Sequence, residues 1–267
     1  MARAIWSGAI SFGLVNVPVK LYTAVQSRSV SFHQIARQDG ARIRQKRVSS
    51  ATGEEVPYEE IVKGYEIAPG RYVVIEPEEL ESLDPEASRT IDIQDFVDLH
   101  EIDPIHYDRP YYLGPSDQAA ARPYRLLVEA MRETSKVGIA TFVMRTKQYL
   151  AALRPKDGAL LLSTMNYSDE IVPIGSVEGL PGEDLELRDR ELQMAVQLVE
   201  SLSTSFEPER YHDEYRERVV ELIEKKAAGE AVVVQPTAEE PAKVVDLMSA
   251  LEESLQAAKR RDQQQAI

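Results

Sequence analysis

The sequence predicts a mainly β fold, a barrel or a sandwich, with helices added. Three observations carry this expectation. Apolar residues alternate between positions 5 and 23, further short apolar runs follow between Gly, Pro and Asp punctuation, and helical periodicity takes over only from about residue 189. At 267 residues, 43% hydrophobic and 28% charged, the chain can bury one sizeable core with appendages.

Residues 5 to 23 read as extended. Trp6, Ile10, Phe12 and Leu14 share one parity with Gly8, and Val15, Val17, Val19 and Leu21 the other. The switch beside Gly13 predicts a bulge or sharp bend, and Pro18, which cannot donate to a ladder, belongs at an edge or beside that bend. Apolar runs at Tyr72 to Ile75, Ile91 to Leu99, Ile139 to Met144, Tyr149 to Leu153 and Ala159 to Met165 supply further strands. Lys156-Asp157-Gly158 joins the last two through a tight hairpin, because Asp-Gly tolerates the positive backbone angles such turns demand. A crossing helix is predicted near 122 to 135, where Tyr124, Leu127, Val128 and Met131 recur at helical spacing and Gly138 ends the run.

From 189 two apolar stripes follow, Leu192, Ala195, Val196, Val199 and Leu202, then Tyr211, Tyr215, Val219, Leu222 and Ile223. After Gly229 the composition shifts to an extended linker around Gln235-Pro236 and Glu240-Pro241. Beyond it, Val244, Leu247, Met248, Leu251 and Leu255 repeat at three and four residues in an otherwise polar segment.

Composition excludes several classes of chemistry. With no cysteine there is no disulfide, thiolate metal site or cysteine nucleophile. No apolar run approaches the roughly 20 residues that span a bilayer, so a cytoplasmic protein without membrane partners is expected. The histidines His33, His100, His106 and His212 are scattered, and no phosphate loop, dinucleotide fingerprint or nucleophile elbow is present.

The net charge of −14 disfavours nucleic acid only if the charge is evenly spread. It is not. Residues 1 to 50 carry Arg3, Lys20, Arg28, Arg37, Arg42, Arg44, Lys46 and Arg47 against Asp39 alone, and 136 to 156 holds Lys136, Arg145, Lys147, Arg154 and Lys156 with no acid. Between them, 54 to 106 is strongly acidic, with Glu54, Glu55, Glu59, Glu60, Glu76, Glu78, Glu79 and Glu81 among many. One basic and one acidic surface can result. Cations spaced along Arg42 to Arg47 suit sequence-independent phosphate contact, or else a solvated strand that pairs with the acidic middle. Asp92, Asp95, Asp98, Glu101 and Asp103 could chelate a divalent ion, but their alternation with Ile91, Ile93, Phe96, Val97 and Leu99 favours the solvent face of a half-buried strand. Trp6, Tyr107, Tyr111 and Tyr112 are expected in the core and not as a base-stacking platform.

The run Arg3-Ala4-Ile5-Trp6-Ser7-Gly8-Ala9-Ile10-Ser11-Phe12-Gly13-Leu14-Val15-Asn16-Val17-Pro18-Val19-Lys20-Leu21-Tyr22 closely resembles the opening of bacterial Ku proteins. The resemblance continues through Val62-Lys63-Gly64-Tyr65-Glu66, Ser88-Arg89-Thr90-Ile91, Pro110-Tyr111-Tyr112-Leu113, Ala152-Leu153-Arg154-Pro155 and Asp213-Glu214-Tyr215-Arg216, and so spans nearly the whole chain. It implies a Ku-core β-barrel with an arch-forming insertion and a helical C-terminal arm. Such chains form a homodimeric ring that holds double-stranded DNA ends in non-homologous end joining and catalyses no reaction. Where many relatives place Cys-x-x-Cys-Gly in the arch, this chain has Ser49-Ser50-Ala51-Thr52-Gly53, so no zinc and no other cofactor is expected. Eukaryotic members carry an additional α/β domain before the core, whereas this sequence starts at the core motif.

On this reading residues 1 to 188 form the barrel and arch, 189 to 229 the dimerising arm, 230 to 243 a linker, and 244 to 267 a helix with a polar tail that recruits DNA ligase D. Expected DNA contacts are Arg28, Arg37, Arg42, Arg44, Lys46, Arg47, Lys136, Arg145, Lys147, Arg154 and Lys156. Expected ligase contacts are Leu247, Met248, Leu251 and Leu255, unless that helix folds back on the core. The expected location is the cytoplasm, at the nucleoid. The competing readings are an oligomeric scaffold whose basic segment pairs with its own acidic middle, and a divalent-metal nuclease built on Asp92 to Asp103.

Overall fold

The alternation around Gly13 resolves into two strands. In the computed structural model, which describes residues 3–82, 89–145, 147–182, 185–229 and 247–265, β1 (Trp6–Phe12) and β2 (Val15–Thr23) pair antiparallel from Phe12↔Val15 to Trp6↔Leu21. Gly13, at φ +58°, opens a two-residue reversal where a bulge or bend was expected. The parity switch follows from pairing: opposed residues share a face, so Ile10 faces inward with Val17, and both are fully buried. Pro18 lies just past the last β2 pair with the sixth strand, where its carbonyl accepts the Ser116 N–H (3.0 Å). The end of a ladder, and not an edge strand, removes the need for its missing donor.

After β2 comes a two-stranded hairpin, β3 (Lys63–Ala68) and β4 (Arg71–Ile75), then the short helix α1 (Pro77–Ser82). The chain returns as β5 (Thr90–Asp98), β6 (Tyr107–Pro115), α2 (Ala121–Thr134), β7 (Lys136–Met144), β8 (Lys147–Lys156) and β9 (Ala159–Met165). Seven strands close a barrel in the order β1-β2-β6-β9-β8-β7-β5, and β5 seals it by running parallel to β1 at Ile10↔Ile91. As expected, Asp157 (φ +49°) and Gly158 (φ +80°) turn β8 into β9.

Helix α2 contributes Tyr124, Leu127, Val128 and Met131 to the same core as Ile10, Val17, Leu21, Ile91, Leu113, Leu153, Leu160 and Leu162. The Tyr124 hydroxyl donates to the Leu113 carbonyl (2.6 Å) and accepts the Leu160 N–H (2.8 Å), tying helix to barrel across β6 and β9. The helix ends at Ser135, which is left-handed at φ +55°, and not at Gly138. Gly138 lies within β7, where a Cβ would crowd Ile93 and Phe96 at 3.3–3.4 Å.

The chain divides into two compact units, one running to Arg28 and from His33 to Ile174, the other holding Ser29–Phe32 and the chain from Gly175 onward. The second contains α3 (Asp189–Leu202), α4 (Glu214–Ala227) and α5 (Leu247–Gln265). Asp213 caps α4 by accepting the Arg216 N–H (2.9 Å), so Tyr211 precedes that helix and stacks on Phe206 instead of joining its stripe. Helix α5 packs on α3, with Arg190 3.7 Å from Glu252 and Ala258 buried. The linker expected at 230 to 243 lies outside the described residues, as does the start of the terminal helix segment at 244 to 246. Among the described residues, no helix is long and apolar enough to cross a membrane.

Candidate nucleic-acid interface

The basic segment is neither strand nor helix. It folds into two successive tight turns, each closed by an isolated antiparallel bridge, Ile35↔Arg42 and Val48↔Glu55. Backbone bonds fix the first (Ala36 N–H to Ala41 O, 2.8 Å; Ile43 N–H to Gln34 O, 3.0 Å) and the second (Ser49 N–H to Glu54 O, 2.8 Å; Val56 N–H to Arg47 O, 2.9 Å). The second turn is Ser49 to Gly53. Here Ser49 Oγ accepts the Ala51 N–H (3.3 Å), a local bond that shapes the turn.

Arg28, Arg37, Arg42, Arg44, Lys46 and Arg47 are all exposed on this segment. Lys46 alone of the six is paired with a carboxylate of the described residues, Glu55 at 2.6 Å. Arg42 donates to His33 Nδ1 (2.6 Å), and Arg47 lies over the Tyr58 ring at 5.1 Å, so both are steadied with their charge uncompensated.

The second basic stretch does not form one cluster. Lys136 and Lys156 stand at one end of the barrel, Arg145 and Lys147 at the other, and the run from Lys147 to Lys156 along β8 separates them by roughly 30 Å. Lys136 donates to Asp98 (2.8 Å), Lys147 lies 3.7 Å from Glu170, and Lys156 lies 3.4 Å from Asp157. The hydrogen bond to Lys136 holds the Asp98 carboxyl below the ordinary carboxylate range, and the same bond raises Lys136. Arg145 and Arg154 have no ion pair among the described residues.

Two other carboxylates of the 92 to 103 run serve local structure. Glu101 accepts the Asp98 N–H (2.9 Å), and Asp103 accepts the Ile105 N–H (2.9 Å). A bulge between Ile93 and Asp95 breaks the expected alternation along β5. Among the described residues no group of three or more His, Asp or Glu could hold a metal ion.

The aromatic residues divide. Trp6 packs against the core and donates its indole N–H to the Val143 carbonyl (3.1 Å), and Tyr111 is buried in the same core. Tyr107 packs outside the barrel against Val137, Ala152 and Met165, whereas Tyr112 is exposed and not in the core. Sequence reasoning missed Arg109, which joins Arg145, Lys147 and Asp108 around a cavity of about 420 Å³ beside Tyr111 and Tyr149. These cations come from the start of β6 and from the β7–β8 turn, far apart in sequence, so no local motif announces them.

On the helical unit, the predicted stripe of α3 is exposed except at Ala195. Leu192, Val196, Val199 and Leu202 are 46–66% exposed, whereas Met194, Ala195 and Leu198 are half-buried. Phe206, Tyr211 and Tyr215 are also exposed. Met248, Leu251 and Leu255 of α5 are half-buried, and the Leu247 side chain lies outside the described residues.

Comparison with known proteins agrees with this architecture. Residues 11–194 match the family described as Ku70/Ku80 beta-barrel domain. The chain is 58% identical over 262 residues to the Non-homologous end joining protein Ku of Anaeromyxobacter sp. (strain K), covering 98% of this chain and 88% of that one. It is 47% identical to Non-homologous end joining protein Ku 1 of Saccharopolyspora erythraea (97% and 80% covered), and 44% identical to the Heliobacterium modesticaldum protein of the same name (100% and 96% covered). With the barrel closed as the sequence anticipated and relatives of this identity along almost its full length, the chain belongs to the Ku family.

Proposed function

We propose that the chain binds double-stranded DNA ends without regard to sequence, as a homodimeric ring, in non-homologous end joining, and that it catalyses no reaction itself. The observation that carries this is the exposed cationic segment 28–47, of whose six candidate cations only Lys46 meets a carboxylate among the described residues. A scaffold that neutralised this segment with its own acidic middle would pair most of them. Unpaired cations on a turn-rich segment suit phosphates, which supply affinity without sequence information.

The dimer is argued from the second unit. A closed barrel offers no free edge for strand pairing, whereas α3 leaves a row of large apolar side chains in water, a pattern that marks an association surface. The name of the relatives, Non-homologous end joining protein Ku, supports the repair context. In that context the protein works in the cytoplasm at the nucleoid, and recruitment of DNA ligase D falls to the segment from residue 244. Its apolar residues Leu247, Met248, Leu251 and Leu255 would meet the ligase when α5 parts from α3.

The test compares linear duplex with covalently closed circular duplex of identical sequence across a salt series. A threaded ring requires a free end, so linear DNA should bind and closed circles should not. Equal affinity for both at every salt concentration would refute the ring, and no binding to either would favour the scaffold. Prolonged incubation with magnesium should yield no cleavage product.

A further inference from the structure

The cavity at the start of β6 and the β7–β8 turn brings Arg109, which is not among the expected DNA contacts, together with Arg145 and Lys147, which are. Arg109, Arg145 and Lys147 line it with Asp108 as the one carboxylate. Asp108 is already engaged: it accepts the Thr164 hydroxyl (3.1 Å) and lies 3.8 Å from the Arg109 Nε. Lys147 sits over the Tyr149 ring at 5.4 Å, and that ring is backed by Phe142 and Trp6, which makes the wall rigid.

Two features point to a ligand. Tyr111 is only 7% exposed, lines the cavity together with Arg109, Asp108 and Arg145, and has no hydrogen-bond partner among the described residues. Arg145 adopts φ +63° in the two-residue turn between the paired residues Met144 and Lys147. Asn or Gly takes that conformation readily, whereas a long side chain pays a steric penalty there. Arg145 holds this conformation with no ion pair among the described residues, and strained backbone clusters at ligand sites.

We propose that this cavity binds the phosphate monoester of a nucleotide, either free or at the terminus of a DNA strand. Its lining cations outnumber its lining carboxylate by two, with Glu170 drawing on Lys147 at 3.7 Å, which suits the anionic phosphate monoester, and its volume admits a mononucleotide. The guanidinium of Arg145 can meet the phosphate through two parallel N–H bonds, Lys147 and Arg109 add charge, and the Tyr111 hydroxyl donates the fourth contact. The duplex arm of the test below rests on the end-binding reading, whereas the mononucleotide arm stands alone.

The experiment titrates the full chain with deoxyadenosine 5′-monophosphate, with deoxyadenosine, and with blunt duplex bearing either a 5′-phosphate or a 5′-hydroxyl. The variants are Arg145→Asn, which removes the charge and suits the turn, and Tyr111→Phe, which removes only the hydroxyl. Mononucleotide binding, or preference for the phosphorylated duplex, should fall by at least about tenfold in Arg145→Asn and measurably in Tyr111→Phe. Deoxyadenosine should not bind. Loss of mononucleotide binding alone identifies a free nucleotide as the ligand, and loss of phosphorylated-duplex preference alone identifies a strand terminus. Either loss supports the site. Wild-type protein that ignores the phosphate in both probes, or variants that bind both as the wild type does, would overturn it. Preference for linear over circular DNA should persist in Tyr111→Phe, whose residue is not among the expected DNA contacts, so failure of this site and failure of end binding are read separately.

Discussion

Replacing Arg42, Arg44, Lys46 and Arg47 by Gln tests whether the turn-rich basic segment meets phosphate. Each phosphate contact contributes about 0.9 to the log-log salt slope, which at physiological salt is worth about fivefold in affinity against a one-molar reference. The four residues do not count equally. Arg44 has no partner among the described residues, Arg42 and Arg47 lean on the His33 and Tyr58 rings, and Lys46 is partly compensated by Glu55. Three to four contacts per protomer therefore predict a slope shallower by about 3 and an affinity about 10² to 10³ lower, with twice that change in slope if both copies of a dimer engage. Fluorescence anisotropy on an end-labelled duplex across a sodium chloride series reads both quantities, and the loss should be uniform across sequences. All four side chains are exposed, so urea unfolding should move by no more than about 0.5 kcal/mol. A slope unchanged to within about one unit would refute the assignment and move the DNA contacts elsewhere.

Tyr124→Phe removes the hydroxyl that satisfies the buried Leu113 carbonyl and Leu160 N–H, and should destabilise the barrel by about 2–4 kcal/mol; a change in urea midpoint equivalent to less than about 0.5 kcal/mol would contradict that role. Because folding lowers the pKa of Asp98, its pair with Lys136 stabilises fully above the ordinary carboxylate range and ceases to do so as pH falls through the depressed value. Asp98→Asn should therefore flatten the acid limb of the stability–pH curve, and a limb of the same steepness would contradict the pairing. Val199→Glu with Leu202→Glu puts two charges on the exposed face of α3 and should shift sedimentation to monomer without melting α3, whereas an unchanged dimer would locate the contact elsewhere.

The strands that alternate were legible because one face is buried and the other wet. β6 was harder to read, since Pro110, Gly114 and Pro115 interrupt it; a register shift between Tyr107 and Pro110 lets the ladder admit the first proline. β3 was invisible for the opposite reason: all its residues are exposed, so no period distinguishes it. Helix α2 was legible from its buried face, but its end at Ser135 was not, because a serine in the left-handed region leaves no sequence signal comparable to glycine. Of the site, the exposed arginines of the basic segment were legible as charge, whereas the division of the 136–156 cations between two barrel ends depends on strand direction. Arg109 lay in a stretch read for its tyrosines.

The parallel seam between β1 and β5 has a mechanical consequence. The chain leaves the barrel at the end of β2 and re-enters at the start of β5, two strands that flank β1 with those two ends on the same side. A duplex that tugs on this excursion pulls both roots along their own axes, so the ladders on either side of β1 are loaded in shear and their hydrogen bonds resist together. Peeling would break them one at a time. The strand that carries the longest match to the bacterial relatives is thus the keel against which a strained DNA end would be held.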